Sequence, residues 1–485
     1  MLFNSYEFIF VFFPITVLIY FYLNRKGLNV LSKLFLVLSS LLFYSWWNIV
    51  YLPIILLSII FNFFIGKLLW NKKELKKITR KQLLIFGIVC NVGLLCYFKY
   101  VDFFIINLNF IGGLDIQLLT LTLPLAISFF TFQQIAYLVD SFKRETQDYD
   151  FLNYTVFVTF FPQLIAGPIV HHKQMMPQFT NFKNKDMNYR NIGLGLYIFS
   201  IGLFKKVVIA DTFSIWSTAG FDASTNLNML EAWVTSLSYT FQLYFDFSGY
   251  TDMAVGAALF FNIVLPINFN SPYKAINIQD FWRRWHITLS RFLRDYIYIP
   301  LGGNQKGESR VYYNIMITFL LGGLWHGAGW TFIFWGFLHG ISLLAHRIWG
   351  KIGFKISKSL SWFITFNFVN ITWVFFRAKE WEDAMKVLTG MFGFNGIKLP
   401  NFLEKVSYIS KSFNVEFADL SNIKGNDLTY VWLILGFIIV LLFNNSYQKM
   451  TSFKMGYKTI CFSTFLFILS ILSLTKVSEF LYFNF

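Results

Sequence analysis

The sequence predicts an all-α polytopic membrane protein, and three observations carry that prediction. Of the 485 residues, 56% are hydrophobic and only 14% charged, whereas soluble domains carry about 25% charged residues. Apolar runs of roughly 17–25 residues, enough to cross a bilayer, recur from end to end. The runs are continuous rather than alternating in short segments, which excludes a transmembrane β-barrel.

The apolar segments fall at 7–23, 29–48, 50–70, 83–98, 117–139, 152–170, 191–215, 230–247, 251–266, 312–330, 331–348, 359–376, 428–444 and 456–474. Several are too short or too broken by Gly and Pro to cross alone. About ten to twelve spans are therefore expected, with re-entrant or interfacial helices making up the rest. Irregular backbone is tolerated at membrane depth only where it is buried in protein or lines a cavity. The breaks at Leu164–Pro168 (LIAGP), Leu301–Asn304 (LGGN) and Gly322–Trp330 thus mark places for one. With no fixed-period repeat and no low-complexity linker, residues 1–485 read as one transmembrane domain.

A formal charge of +16 reads as the lysine excess of cytoplasmic loops, not as a nucleic-acid footprint. The stretch Lys67–Lys81 holds seven cations against one acid, and Arg25, Lys26 and Lys33 flank the first turn. The turn near Trp46–Tyr51 carries no charge. That alternation places the first and third turns inside, and the N-terminus and second turn outside. The first apolar run ends in NRKG rather than in a small-residue cleavage site, so no cleavable signal is expected. Asn181–Asn191 reads as a cytoplasmic loop, and Lys398–Thr429 (398–429) as an extramembrane excursion. Cys90, Cys96 and Cys461 all lie in apolar segments without metal spacing. They are expected to be buried thiols acting as small hydrophobes, and no metal is expected.

The most informative stretch is Asp280–Asn304, DFWRRWHITLSRFLRDYIYIPLGGN, where four arginines and a histidine enter an otherwise apolar chain. Wound as one helix over Asp280–Ile297, Asp280, Arg283, Arg284, Arg291, Arg294 and Asp295 share an arc of about 120°. Phe281, Trp282, Trp285, Leu289, Phe292 and Tyr296 face the other way, and His286 lies on the edge between. Such a helix suits an interfacial anchor. Equally, its guanidinium forks suit the phosphates of a substrate.

His326 follows in FLLGGLWHGAGWTFIFWG, between Gly322-Gly323 and Gly327 and beside Trp325 and Trp330. An ionisable group inside the membrane is a functional-site hypothesis by default, and a neutral imidazole is what a general base needs. The competing reading is a histidine that hydrogen-bonds a neighbouring helix. His339 and His346 read as packing or interfacial residues, and His171-His172 as loop residues. In Gln242–Asp252, QLYFDFSGYTD, Asp246 and Asp252 bracket a Ser-Gly-Tyr break. They are placed to orient a histidine or pair with an arginine, or, for Asp252, to cap the next helix. Gln242 belongs to the same polar cluster. No nucleophile elbow, phosphate-binding loop or dinucleotide fingerprint accompanies these residues.

LIAGP at 164–168, QLYFDFSGYTDMAVG at 242–256, the Asp280–Asn304 stretch and LGGLWHGAGWTFIFWGFLHG at 321–340 together resemble the membrane-bound O-acyltransferase family. Within it they resemble the bacterial branch of the alginate O-acetylation protein and the peptidoglycan O-acetyltransferase membrane subunit. SYEFIFVFFPITVLIYF, LPLAISFFTFQQIAYLVD, TWVFFRA and the ending FLYFNF fit that branch as well, so the likeness covers nearly the whole chain, with core motifs at 120–380. It implies tilted helices around a central tunnel, in a multi-pass protein of the bacterial cytoplasmic (inner) membrane.

The resemblance carries the family's invariant histidine onto His326 and its second histidine onto His286, both catalytic, with His286 or a nearby polar group stabilising the oxyanion. It implies that acetyl moves from cytoplasmic acetyl-CoA, a substrate rather than a bound cofactor, towards an extracytoplasmic polysaccharide such as alginate or peptidoglycan. A separate esterase-like (SGNH-type) protein is the expected partner, since this chain has no Ser-His-Asp apparatus. Arg283, Arg284, Arg291 and Arg294 are candidates for the CoA phosphates, with Asp246, Gln242, Trp325 and Asn304 as further substrate-binding candidates. Membrane lipid is an expected contact, nucleic acid is not. Two rivals are D-alanyl transfer to teichoic acid, within the family, and a transporter or flippase, outside it. The second would call for paired discontinuous helices in two halves, and the sequence shows no such symmetry.

Overall fold

The computed structural model describes residues 1–71, 79–146, 150–165, 167–401, 416–474, 478, 480 and 481. Among them nearly all regular structure is helical. Strand is confined to a short parallel pairing of Lys398–Pro400 with Glu416–Ala418. The centre of the basic stretch Lys67–Lys81 (72–78) and of the expected excursion (402–415) lies outside the described residues, as does most of FLYFNF.

Among the described residues, five helices are long and apolar enough to cross a membrane: Glu7–Arg25, Ile49–Trp70, Arg80–Lys99, Tyr189–Ala223 and Lys358–Arg377. Asn29–Ser45, Val101–Gly112, Asp427–Leu442 and Tyr457–Ser473 are apolar but shorter. The protein is an all-α polytopic membrane protein. The expectation of ten to twelve spans counted apolar runs alone. Such a count entered as two runs what is one 32-residue helix, Met229–Phe260, with Glu231, Asp246 and Asp252 built into it.

The chain divides into two compact units, Met1–Leu203 with Tyr250–Ile267 and Ser452–Asn484, and Phe204–Gly249 with Asn268–Thr451. In the first, phenylalanine rings make the core. Phe8 and Phe12 rise from a π-turn at Glu7–Phe12 and meet Phe43 and Phe161 at centroid distances of 5.3–6.0 Å. Polar residues inside this core pair with one another, since lipid offers them nothing. Asn62 and Asn91 exchange hydrogen bonds of 3.0 and 2.6 Å between the Leu52–Trp70 and Arg80–Lys99 helices. Gln134 donates to Ser58 and accepts from Tyr154.

Four expectations for this unit need correction. The 117–139 segment is helical only from Ile127, because the Asp102 carboxylate takes the N–H groups of Leu119 and Thr120 at 2.8 and 2.9 Å and holds that stretch out of a helix. The segments 230–247 and 251–266 join in the one helix Met229–Phe260, and no break occurs at Ser248-Gly249-Tyr250. A mid-helix glycine costs about 1 kcal/mol relative to Ala. Tyr250, fully buried and stacked on Phe3 and Phe480, outweighs it. Asp252 is consequently a mid-helix residue and caps nothing. Of the two residues read as loop, His171 is extended backbone but His172 is helical. His172 opens the helix His172–Thr180 and is buried, and both rings turn their Nδ1 towards Asp140. Nor are the cysteines buried, since Cys90 and Cys96 are half-buried and Cys461 is exposed on apolar helices.

The second unit is built on a hairpin of Glu308–His326 and Trp330–Ile352, joined by Gly327-Ala328-Gly329. Glycines set its closeness. A Cβ on Gly323 would stand 2.3 Å from the Phe332 carbonyl oxygen, and one on Gly336 2.4 Å from that of Phe319. Small residues at such contacts let membrane helices approach backbone to backbone. Gly323→Leu therefore forces the hairpin apart. The expected cost is at least the ~1–3 kcal/mol typical of overpacking, read as a lowered thermal midpoint in detergent, while a substitution at the open Gly350 leaves the midpoint in place.

Candidate active site

The Asp280–Ile297 stretch is not one helix. It breaks into Ile278–Arg284 and Ile287–Leu293, followed by a π-turn at Arg294–Tyr298. His286 sits at the break with φ +40° and ψ +54°, a left-handed conformation that costs a non-glycine residue about 1–3 kcal/mol. The extended segment Asn268–Asn270 holds it there from both sides. Asn270 N–H donates to the Arg284 carbonyl at 2.9 Å, and Ile287 N–H to the Asn268 carbonyl at 3.0 Å. The edge position read from a continuous helix is thus corrected, for His286 is fully buried at a backbone kink.

The same asparagine fixes the imidazole. Asn268 Oδ1 accepts from Thr288 N–H at 3.2 Å and from Thr288 Oγ1 at 2.9 Å, and lies 3.1 Å from His286 Nδ1. An amide oxygen only accepts, so Nδ1 carries the proton and Nε2 the lone pair. A neutral His286 in this tautomer cannot donate from Nε2 to an oxyanion. That removes the oxyanion role expected of it in the neutral state.

His326 ends its helix and is 3% exposed. Its ring packs edge-on against Trp335, Phe376 and Trp325 at 5.2, 5.0 and 4.9 Å. Trp325 also faces His286, at 6.2 Å, so one indole separates the two imidazoles. His339 behaves as the packing reading expects. It accepts from Trp282 Nε1 at Nδ1 and pairs with Thr372 Oγ1 at Nε2, both at 3.2 Å.

Three of the four arginines, Arg283, Arg291 and Arg294, line a cavity of about 500 Å³ with Gln279, Tyr298, Asn304 and Arg347. Arg294 is paired with Asp295 and Arg347 with Glu308, whereas Arg283 and Arg291 enter no ion pair among the described residues. Arg284 does not line the cavity. It bonds Asp280, one turn earlier on its own helix, at 2.8 Å and the Asn270 carbonyl. Neither histidine lines this cavity either. Its Thr318 lies eight residues before His326 on one helix, about 12 Å along the axis.

Asp246 forms a buried ion pair with a lysine. Its partner is Lys206, buried, at 2.6 Å, and Lys206 also reaches Asp211 at 3.0 Å. Gln242 is buried on the same helix. Sequence reasoning missed Lys206 although its signal was present, a lysine inside a long apolar stretch. Asn268 gave less warning, as one polar residue in a Pro- and Asn-rich connection.

Comparisons with known proteins identify the family. The sequence model of the membrane-bound O-acyltransferase family matches residues 8–379. The chain belongs to that family. It is 50% identical to a peptidoglycan O-acetyltransferase of Helicobacter pylori, over all of this chain and 98% of that protein. It is 36% identical to a probable alginate O-acetylase of Pseudomonas aeruginosa, over 92% of this chain and 82% of the other. A teichoic acid D-alanyltransferase of Bacillus subtilis is 28% identical over 53% of the chain and 69% of its own length. Like the family, the chain is an O-acyltransferase, and the acetyl-transferring relatives match it over far more of its length than the D-alanyl one.

Lys206→Met leaves the Asp246 carboxylate buried beside no cation. Breaking a buried pair this way costs about 3–5 kcal/mol, so the variant should lose most of its folded yield in detergent. Lys206→Met/Asp246→Leu should recover much of it. Equal yields for the single and double variants would contradict the pairing.

Proposed function

We propose that the protein carries acetyl from cytoplasmic acetyl-CoA towards the O-acetylation of an extracytoplasmic polysaccharide, with peptidoglycan the first candidate. The observation that carries this reading is the buried His326 with His286 across one indole, in a chain whose full-length relative is a peptidoglycan O-acetyltransferase. Alginate, the polymer named for the 36% identical relative, is the second candidate. A separate esterase-like protein completes the transfer, since the motif-bearing residues include no serine nucleophile with a base beside it.

In this mechanism neutral His326 takes the proton of the acceptor hydroxyl as its oxygen attacks the thioester carbonyl. The C–S bond breaks, and the imidazolium returns the proton to the departing thiolate to give free CoA. General-base removal of this kind contributes about 10²–10⁴-fold. His286, with Nδ1–H held by Asn268, offers Nε2 as an acceptor that orients the hydroxyl. The CoA phosphates lie against Arg283 and Arg291, and the pantetheine arm covers the ~12 Å of helix between that cavity and His326. The unpaired state of these two arginines supports the assignment, because a cation already matched by a carboxylate has less to give an anion.

Two measurements test this. His326→Ala should lower polymer O-acetylation by about 10²–10⁴-fold with unchanged protein in the membrane fraction, and retained acetylation would remove His326 from the chemistry. Arg283→Gln and Arg291→Gln should each raise the KM for acetyl-CoA about tenfold, as expected for one lost charge-assisted hydrogen bond of ~1.5 kcal/mol. Turnover at saturating donor should change little. A KM equal to wild type in both variants would move the phosphate site elsewhere.

A further inference from the structure

Asp140, His171 and His172 take no part in the proposed acyl transfer, yet they form the tightest cluster of metal-ligating side chains among the described residues. Asp140 lies near the end of the helix Ile127–Lys143. His171 is the extended residue before the helix His172–Thr180, with φ −93° and ψ 136°, and His172 is that helix's first residue. The change from extended to helical backbone between the two lets consecutive imidazoles aim the same way. His171 Nδ1 stands 3.3 Å and His172 Nδ1 3.4 Å from one and the same carboxylate oxygen, Asp140 Oδ2. One ligand atom from each of the three residues lies within 4.8 Å of the others.

Those distances exceed the 2.7–3.2 Å of ordinary N–H···O hydrogen bonds. They match the edge of a coordination tetrahedron, about 3.3 Å for zinc bonds of roughly 2.0–2.2 Å. The donor set fits as well. Two imidazoles and a carboxylate suit zinc among the divalent cations, whereas Ca²⁺ and Mg²⁺ take oxygen. Asp140 and His172 are 3% and 1% exposed in their side chains, and His171 is 27% exposed. One side of the cluster is therefore open to water, which would fill a fourth position. The nearest exposed charges, Lys173 and Glu145, are bonded to each other at 2.5 Å.

We propose that Asp140, His171 and His172 bind one Zn²⁺, which ties the end of the Ile127–Lys143 helix to the start of the His172–Thr180 helix. This departs from the sequence-based expectation of no metal, and it stands independently of the acyl-transfer reading. The metal stabilises the folded protein because it binds the native arrangement and not the unfolded chain.

The test uses tag-free full-length protein in detergent, stripped with a chelator and titrated with Co²⁺ as a coloured stand-in for Zn²⁺. One equivalent should bind with the intense visible bands of a four-coordinate ion, and Zn²⁺ should displace it. Zn²⁺ should also raise the thermal midpoint of the stripped protein. Asp140→Ala and His171→Ala should each weaken Co²⁺ binding by at least about tenfold, the lower end of what losing even an outer-shell partner costs. His346→Ala, a histidine elsewhere in the chain, should leave binding unchanged. His171 is partly exposed, so its replacement leaves the fold in place, checked by an unchanged midpoint in chelator. Co²⁺ uptake that is absent in the wild type, equal in His171→Ala, or abolished by His346→Ala overturns the proposal.

Discussion

A polar group facing hydrocarbon finds no partner there, so those within the bilayer are drawn to one another inside the protein. That constraint explains more of the structure than the hydrophobic effect, which between lipid and an apolar side chain has little to gain. Asn62 answers Asn91, Lys206 answers Asp246 and Asp211, and His339 is held by Trp282 and Thr372. Asn268 answers His286 and Thr288 together. Each pair fixes a helix in register with a neighbour within its own unit. Where two backbones must come closest, as in the Glu308–His326 and Trp330–Ile352 hairpin, glycine replaces the polar pair.

The candidate site follows from the same rule. A single amide, that of Asn268, supplies backbone and side-chain bonds that stabilise a left-handed histidine and set its tautomer. The strain at His286 is thus offset locally, by four hydrogen bonds to Asn268 and one from its near neighbour Asn270. His326 reaches its place differently. It lies where the helix stops at Gly327, whose missing side chain leaves room for Phe332, and aromatic rings rather than hydrogen bonds surround it.

How much of this was legible in the sequence depended on the range of the interaction. Composition alone gave the all-α membrane class, since that follows from sums over the chain. The breaks at LGGN and after His326 were legible because glycine acts locally. The helix break at His286 was not. Its cause is Asn268, eighteen residues away, and a helical wheel assumes that no such partner exists. The same blindness merged with its opposite at Ser248–Tyr250, where a local break signal yielded to the burial of Tyr250. His171 and His172 looked like loop residues for want of a view of Asp140, thirty-one residues earlier.

The four arginines divide as well. On one continuous helix all four cations would share a face, and nothing would distinguish a phosphate site from an interfacial anchor. Arg284 bonds Asp280 one turn back on its own helix and the Asn270 carbonyl, where its charge and donors are used structurally. Arg283 lines the cavity with Arg291, and neither meets a carboxylate among the described residues. An anchor for lipid headgroups gains nothing from sequestering one of its cations. A pocket for one bound anion does, because the cations that remain converge on an enclosed volume instead of spreading along a surface. The left-handed turn at His286 thus orients an imidazole for one end of the proposed substrate, and Arg283 and Arg291 offer charge to the other.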